Sequence, residues 1–354
     1  MGILDRYIGR AVTMGIIAVL LVIVTLDSLI SFAGETGSIG VARYTVWTAI
    51  LYILLQVPKK IYQMFPMVAL LGTMVSMGML SSHSELVAIR AAGVSITRIA
   101  LAVLKAGIIL TAIVVAIGEF VAPPAIQYAK LTRIAGLGDK VSLNTDYGLW
   151  ARDGNNFIHV RQVEADGRLI GINLYLFDDT QTLAETITAA TAEYEEDHWL
   201  LHRVTRRKIS KDVITDTKLK SLRWTSVLKP DVVNVVSVAP DSLSIWKLRS
   251  YIDYLHYNEL DAREYELSFW TKLVAPFTIA VMIIVALPFS FGSMRKVGAG
   301  QRIFVGFLLG MGFFVFYQFM SKVGLIYNFH PAISAITPTL LVLILGIVML
   351  KRTR

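Results

Sequence analysis

Long apolar segments alternate with polar ones along most of this chain. The longest apolar segments are residues 11–33, 61–80, 99–123, 267–291, 303–321 and 331–350. About 20 apolar residues are enough for a helix to cross a bilayer. The pattern therefore predicts a membrane α-helical bundle of six transmembrane helices, three in residues 1–138 and three in 263–354, with a polar domain inserted between them.

Prolines fall within or directly after two of these predicted spans. The stretch 44–57 meets Pro58-Lys59-Lys60 before 64–80 continues. Because proline removes one backbone hydrogen bond, we predict a single long helix with a kink at Pro58. We expect Pro123-Pro124 to stop or bend the third span.

The hydrophobic period changes after the third span. Segments with the alternation or composition of strands are 157–163, 170–177, 199–208 and 220–227. Turn signals such as Asp166-Gly167 separate them at intervals of about 8–12 residues. This pattern predicts an all-β antiparallel sandwich or roll over 139–240. Residues 241–262 are expected to form an amphipathic helix that leads back to the membrane.

Composition and charge agree with a membrane location. The chain is 55% hydrophobic and 17% charged, compared with about 45–50% and about 25% in soluble domains. Lysine and arginine concentrate at the termini and in loops 81–98 and 292–302, whereas the opposite short loops carry only Arg43. The positive-inside rule therefore predicts cytoplasmic termini and an inserted domain outside the cytoplasm. A DNA-binding face is disfavoured, since the net charge of +8 lies at span ends.

Signatures of catalysis are missing from the sequence. It contains no cysteine, no phosphate-binding loop G-x-x-x-x-G-K-[S/T] and no H-E-x-x-H metal motif. Ser142, Asp146 and Asp153 lack a nucleophile elbow or a base at a recognisable spacing. We expect no enzyme activity and no metal or cofactor in this chain.

Charged residues beside the spans are candidate binding groups. Lys59 and Lys60 follow Pro58, and Lys130 and Arg133 share one helical face. They would form a cationic rim for a phosphorylated, lipid-like ligand. The alternative is that they only mark the membrane–water boundary. Glu119 would pair with a basic residue or face the headgroups, and we favour a structural role.

A short helix at about 82–93 is a candidate docking element for a soluble partner. Ser82 or Ser84 would cap it, and Gly93 would end it. Its contact residues would be Glu85, Leu86, Val87, Ile89 and Arg90. A solvated connector on the membrane surface is an equally good interpretation.

An aromatic face on the fifth span is a candidate lining for acyl chains. Its residues are Phe313, Phe316, Tyr317 and Met320. Ordinary helix packing or lipid exposure explains the same pattern.

Five collinear segments are similar to one known family. They are LDRYIGR, VPKKIYQMFPMVALLGTMVSMGML, SELVAIRAAGVS, AIGEFVAP and GLWARDGNNFIHV. They resemble the lipopolysaccharide export permeases LptF and LptG, the transmembrane subunits of an ABC transporter in the inner membrane of Gram-negative bacteria. LDRYIG and GLWARDGNNF resemble the LptG branch more closely. The resemblance implies six transmembrane helices and a periplasmic β-jellyroll between the third and fourth.

The resemblance also implies partners and roles. An LptG-type subunit pairs with LptF, and two copies of the ATPase LptB, which holds ATP and Mg, bind below the pair. The transmembrane helix and jellyroll of LptC join this complex. Lipopolysaccharide extracted from the inner membrane passes through the jellyrolls to LptC and the bridge protein LptA. First and fifth helices of LptF and LptG would enclose the acyl chains.

Individual residues carry over by position. Glu85 falls on the acidic residue of the coupling helix that docks on the ATPase, and Lys59, Lys130 and Arg133 fall where relatives contact the lipid A headgroup. Some relatives have a lysine pair where this chain has Gly37-Ser38. Arg43 is the candidate substitute, at a different position.

Two other functional classes stay open on residue patterns alone. A secondary lipid transporter would carry carboxylates at mid-membrane depth, and no Asp or Glu is clearly central in a predicted span. A membrane-anchored scaffold of an envelope complex would not need the helix at 82–93.

Overall fold

A computed structural model describes residues 2–137, 149–163, 167–178, 182–195, 197–210, 213–225, 239–291 and 299–352. The chain divides into two compact units. The first consists of Met1–Gly37, Ile50–Ile126 and Glu266–Arg354, and the second of Ser38–Ala49 and Gln127–Tyr265.

Nine α-helices lie in the described part of the chain. They are α1 Ile3–Glu35, α2 Val46–Ser82, α3 Glu85–Ala91, α4 Ile96–Ala116, α5 Ala122–Leu137, α6 Ile245–Tyr257, α7 Arg263–Phe291, α8 Ala299–Ile326 and α9 Pro331–Arg352. Six helical segments are long and apolar enough to cross a membrane, with α4 and α5 joined in one of them. The predicted helical bundle is therefore confirmed.

The prolines of the second and third spans do not end them. Helix α2 continues through Pro58 and Pro66. Pro123-Pro124 were expected to stop or bend the third span, and they do not stop it, because the helical run continues into α5. A π turn at Ile117–Val121 directly precedes these prolines, and the Ala122 N–H bonds to the Ile117 carbonyl. The wider turn changes the hydrogen-bond register ahead of residues that lack an N–H.

Close approaches of helix backbones define the interior of the first unit. A Cβ atom added to Gly15 of α1 would lie 2.7 Å from the Cβ of Ser76 on α2, and one added to Gly72 would meet the backbone of Ile16. Small residues allow such approaches between apolar helices. Ile8, Val12 and Ile16 are consequently buried along one side of α1.

The second unit contains the predicted β domain. Its strands are β1 Leu149–Asp153, β2 Asn156–Val163, β3 Leu169–Phe177, β4 Leu183–Glu195, β5 His198–Ser210 and β6 Val213–Trp224. They form one antiparallel sheet in sequential order. Among the described strands the topology is a meander; the crossing connections of a jellyroll would need additional pairings.

Alternation along the strands explains the sheet. Ile158 and Val160 are buried, whereas Phe157 and His159 lie on the opposite face. A two-residue turn joins β1 to β2, with Asp153 opposite Asn156. Gly154 in that turn has a φ of 60°, which glycine adopts without a steric penalty.

The predicted amphipathic helix is present as α6 and packs beside the β1–β2 turn. The Tyr254 hydroxyl donates to the Arg152 carbonyl at 2.9 Å, and the Gly154 N–H donates to the Asn258 side chain at 2.9 Å. Burial raises the pKa of Tyr254, so it remains a neutral donor. Helix α6 is thereby held against the sheet of its own unit.

Candidate functional site

Helix α3 is a short helix, and one residue on each side of it has a left-handed backbone conformation. Ser84 before it has a φ of 62°, and Gly93 after it has a φ of 86°. Ser84 occupies the predicted N-cap position but makes no side-chain cap bond, whereas the Ser82 hydroxyl donates back to Met79 in α2. The helix is also shorter than the predicted 82–93, although Gly93 does mark its end.

The predicted docking residues point in two directions. Glu85 accepts a hydrogen bond from the Tyr7 hydroxyl of α1 at 2.5 Å. Leu86 is 3% exposed and Ile89 packs against the same core. The interpretation of Leu86 as an outward contact is therefore wrong, because its side chain fills the helical core. The exposed residues of α3 are Val87, Ala88, Arg90 and Ala91.

A second polar contact anchors the start of α1. The carboxylate of Asp5 is 2% exposed and lies 2.9 Å from Lys105 Nζ and 3.6 Å from Arg98 Nη2. A buried carboxylate needs such compensation. The start of α1 is thus tied to α4 by Asp5 and to α3 by Tyr7.

The two lysines after Pro58 have different surroundings. Lys59 is half-buried on α2. Lys60 forms an ion pair with Asp27 of α1 and donates to the Ser31 hydroxyl at 2.6 Å. Since Asp27 neutralises Lys60, the expectation that both lysines belong to a free cationic rim is wrong for Lys60.

Arg43, Lys130 and Arg133 all belong to the second unit. Lys130 and Arg133 are half-buried on α5, and Arg43 is exposed. The Arg43 N–H donates to the Gly136 carbonyl at 2.9 Å, one residue short of the end of α5. Tyr44 packs on Gly136, where an added Cβ would lie 2.8 Å from its ring. The loop that carries Arg43 is therefore seated on the end of α5.

A buried charge that was not predicted lies on the fourth predicted span. Lys272 of α7 lies 2.6 Å from Glu119 in the π turn, and their side chains are 5% and 12% exposed. Lys272 Nζ also lies 5.3 Å from the Tyr62 ring centroid. Glu119 thus has the basic partner that a structural role requires. A lysine within an apolar segment was the available signal.

The predicted aromatic face of α8 packs inward. Gly306 and Gly310 approach α2, and Phe313 packs against the core cluster that contains Leu70. The Tyr317 hydroxyl donates to Thr271 at 2.6 Å. Phe316 and Met320 are half-buried. The exposed aromatic face is instead formed by Phe304, Phe307, Phe314 and Phe319.

The helices differ greatly in how much of their apolar surface is covered. In the apolar 18-residue stretch of each span, only 6% of the residues of the first and 11% of those of the fifth are buried, compared with 72% in the second. Helices α1 and α8 therefore offer the largest uncovered apolar surfaces among the described spans. Such surfaces contact lipid or a partner helix.

Comparison with known proteins gives one consistent result. Residues 6–352 match the family described as Lipopolysaccharide export system permease LptF/LptG. The chain is 37% identical over 354 residues to Lipopolysaccharide export system permease protein LptG of Escherichia coli K12, covering 99% of this chain and 98% of that protein. It is also 37% identical over 353 residues to the protein of the same name from Haemophilus influenzae, with 99% of each chain covered.

Proposed function

Because the chain belongs to the lipopolysaccharide export system permease LptF/LptG family, we propose that it is the permease subunit of an ABC transporter that extracts lipopolysaccharide from the inner membrane. The observation that supports this most is the match over residues 6–352, which includes the six apolar segments, the short helix α3 and the inserted sheet. A secondary transporter or a scaffold is not favoured, since family members are export permeases.

We place the protein in the inner membrane with both termini in the cytoplasm. The Lys/Arg-rich termini and the loop that contains α3 would lie on the cytoplasmic side. The inserted β domain would then be periplasmic, where it would pass the lipid to the jellyroll of LptC and onward to LptA. One face of the sheet, with Ile158, Val160 and Leu174, is apolar and buried, so acyl chains would have to enter the interior of this domain.

Energy for export would come from a separate subunit. We propose that two copies of LptB bind ATP and Mg beneath the LptF–LptG pair. One of them would dock on α3, with Glu85 and Arg90 as polar contacts and Val87 as the apolar one. Closure of the ATPase dimer would move α3. The Tyr7–Glu85 hydrogen bond and the buried Leu86 would transmit that motion to α1 and the helical core.

The uncovered faces of α1 and α8 would meet the LptF bundle and enclose the acyl chains. Burial of a methylene is worth about 0.8 kcal/mol, but the bilayer already provides nearly the same gain. Selectivity must therefore come from the headgroup. Lys59, Lys130, Arg133 and Arg43 would bind its phosphates through charge-assisted hydrogen bonds.

Copurification tests the proposed assembly. Tagged wild-type chain should retain LptF and LptB, and Glu85→Lys should lose LptB. Lys59→Glu should keep the complex and reduce crosslinking to lipopolysaccharide. Arg249→Glu, at an exposed position on α6, is the charge-reversal control and should change neither result. A Glu85→Lys complex that retains LptB and exports normally would remove α3 from the docking site.

A further inference from the structure

The outer face of the β sheet carries aromatic and polar side chains in cross-strand rows. Trp150 of β1 lies opposite His159 of β2, His159 opposite Asn173 of β3, and Asn173 opposite Thr188 of β4. The neighbouring positions, Ala151 and Ile158, are buried on the other face. We call the outward row Trp150–His159–Asn173–Thr188 the polar row.

An aromatic surface formed by Trp150, His159 and Tyr175 lies at the start of the polar row. The Trp150 and Tyr175 rings are stacked, with an interplanar angle of 15° and centroids 5.9 Å apart. The Trp150 and His159 ring centroids are 4.7 Å apart. Trp150 nevertheless remains 55% exposed. Neighbouring rings restrict the indole, while much of its surface stays accessible to a ligand.

Hydrogen bonds hold the rest of the row in place. The Thr188 hydroxyl donates to Asn173 Oδ1 at 3.1 Å, and Asn173 Nδ2 lies 3.4 Å from His159 Nδ1. Each of these groups can make further hydrogen bonds, because an amide has two donors and a hydroxyl two lone pairs. The row therefore presents preoriented polar groups directly beside the aromatic surface.

Positive charge flanks the aromatic surface. The Arg152 guanidinium lies 5.9 Å from the Phe157 ring centroid, and Arg161 is exposed on the same face of β2. Arg161 packs across Gly171, where an added Cβ would lie 3.0 Å from its own Cβ. Glycine at this position leaves the arginine room to lie along the sheet.

We propose that this outer face binds an anionic saccharide, with Trp150 as the stacking platform. The apolar C–H face of a sugar ring would lie on the indole. Sugar hydroxyls would bond to Asn173 and Thr188, and acidic or phosphate groups would pair with Arg152 and Arg161. The combination of a ring stack, hydroxyl-sized polar groups and positive charge favours a saccharide over an apolar protein surface.

The inference rests on the proposed function, because lipopolysaccharide carries an anionic saccharide. It adds a second contact for the cargo. While the acyl chains occupy an apolar path, the saccharide would be guided along the outside of the sheet. The two parts of one molecule would then be bound by surfaces of matching chemistry.

Binding of a soluble saccharide to the full-length protein in nanodiscs tests this proposal. The probe is the phosphorylated saccharide prepared from lipopolysaccharide by complete removal of its acyl chains, and saturation-transfer NMR reports contact. Wild-type protein should bind saturably. Trp150→Ala should weaken binding about 10-fold, which corresponds to about 1.4 kcal/mol. Trp150→Phe, which retains an aromatic ring, should recover most of the affinity.

Two controls make the result specific. Trp246 on α6 is 75% exposed in the same unit, and Trp246→Ala should bind normally. Arg161→Gln should weaken binding of the phosphorylated probe but leave that of its dephosphorylated form unchanged. No saturable binding by wild-type protein, or equal binding by wild type and Trp150→Ala, would overturn the proposal. Because the assay needs neither partners nor ATP, a failure of export would not alter its outcome.

Discussion

Replacing Lys272 with methionine would leave Glu119 without its ion-pair partner inside the helical unit. Both side chains are nearly buried, at 5% and 12% exposure, so water cannot replace the lost contact. Removal of one partner from a buried ion pair costs about 3–5 kcal/mol. The contact of the ammonium group with Tyr62 is lost as well. We therefore expect Lys272→Met to lower the free energy of unfolding by about 3 kcal/mol or more.

A double-mutant cycle separates the pair from the individual side chains. Glu119→Gln together with Lys272→Met removes both charges, and we expect this double variant to be more stable than Lys272→Met alone. The coupling energy should be about 2 kcal/mol or more. Equilibrium unfolding of the purified protein in mixed micelles, titrated with a denaturing detergent, measures all four variants.

The matched control is the surface pair Arg249–Asp253 on α6. Its atoms lie 3.4 Å apart, but the side chains are 67% and 60% exposed. Its coupling should not exceed about 0.5 kcal/mol. A coupling of that size for Glu119–Lys272, or a loss below about 1 kcal/mol in Lys272→Met, would refute the view that this pair stabilises the helical unit.

Other variants test individual contacts by the same unfolding assay or by export. Asp27→Asn should destabilise the protein by about 1–3 kcal/mol, because it leaves the charge of Lys60 unpaired. Unchanged stability would argue against the ion pair between α1 and α2. Gly118→Ala should be destabilising, because the new methyl group would enter the Tyr62 ring. Gly312 has open space around it, so Gly312→Ala should gain up to about 1 kcal/mol of stability from helix propensity. Equal effects of the two substitutions on stability would contradict the close packing of the π turn. Tyr7→Phe should keep the ATPase bound and ATP hydrolysis intact but export several-fold less lipopolysaccharide per ATP; full export would remove this hydrogen bond from the coupling route.

Local patterns in the sequence were sufficient to predict most elements. Apolar length identified the spans, and alternation identified β2 and β3. Strand β4 was missed because Thr, Ala and Glu occupy most of its positions. Its buried Ile187 and Ala189 therefore do not produce a clear alternation of apolar and polar residues. The proline rule did not decide between a stop and a bend at Pro123-Pro124, since the π turn that precedes them has no simple sequence signal.

Contacts between distant residues could not be predicted from the sequence. Glu119 and Lys272 are 153 positions apart, and only the packing of α7 against the π turn brings them together. Aromatic residues occur on all sides of α8, so composition did not show which face is exposed. Gly306 and Gly310 decide this, because they bring that side of the helix against α2. Leu86 was misassigned for a similar reason: burial depends on neighbouring helices.

ATP-dependent release of lipopolysaccharide from a reconstituted complex tests the central proposal most directly. Proteoliposomes that contain this chain, LptF, LptC and LptB would be loaded with lipopolysaccharide, and its transfer to soluble LptA would be measured with ATP and with a non-hydrolysable analogue. We predict that lipopolysaccharide is transferred with ATP but not with the analogue. Transfer should be lost when Glu85 is replaced by lysine. Equal transfer with and without hydrolysis, or no transfer by a fully assembled complex, would contradict the assignment of this chain as an export permease.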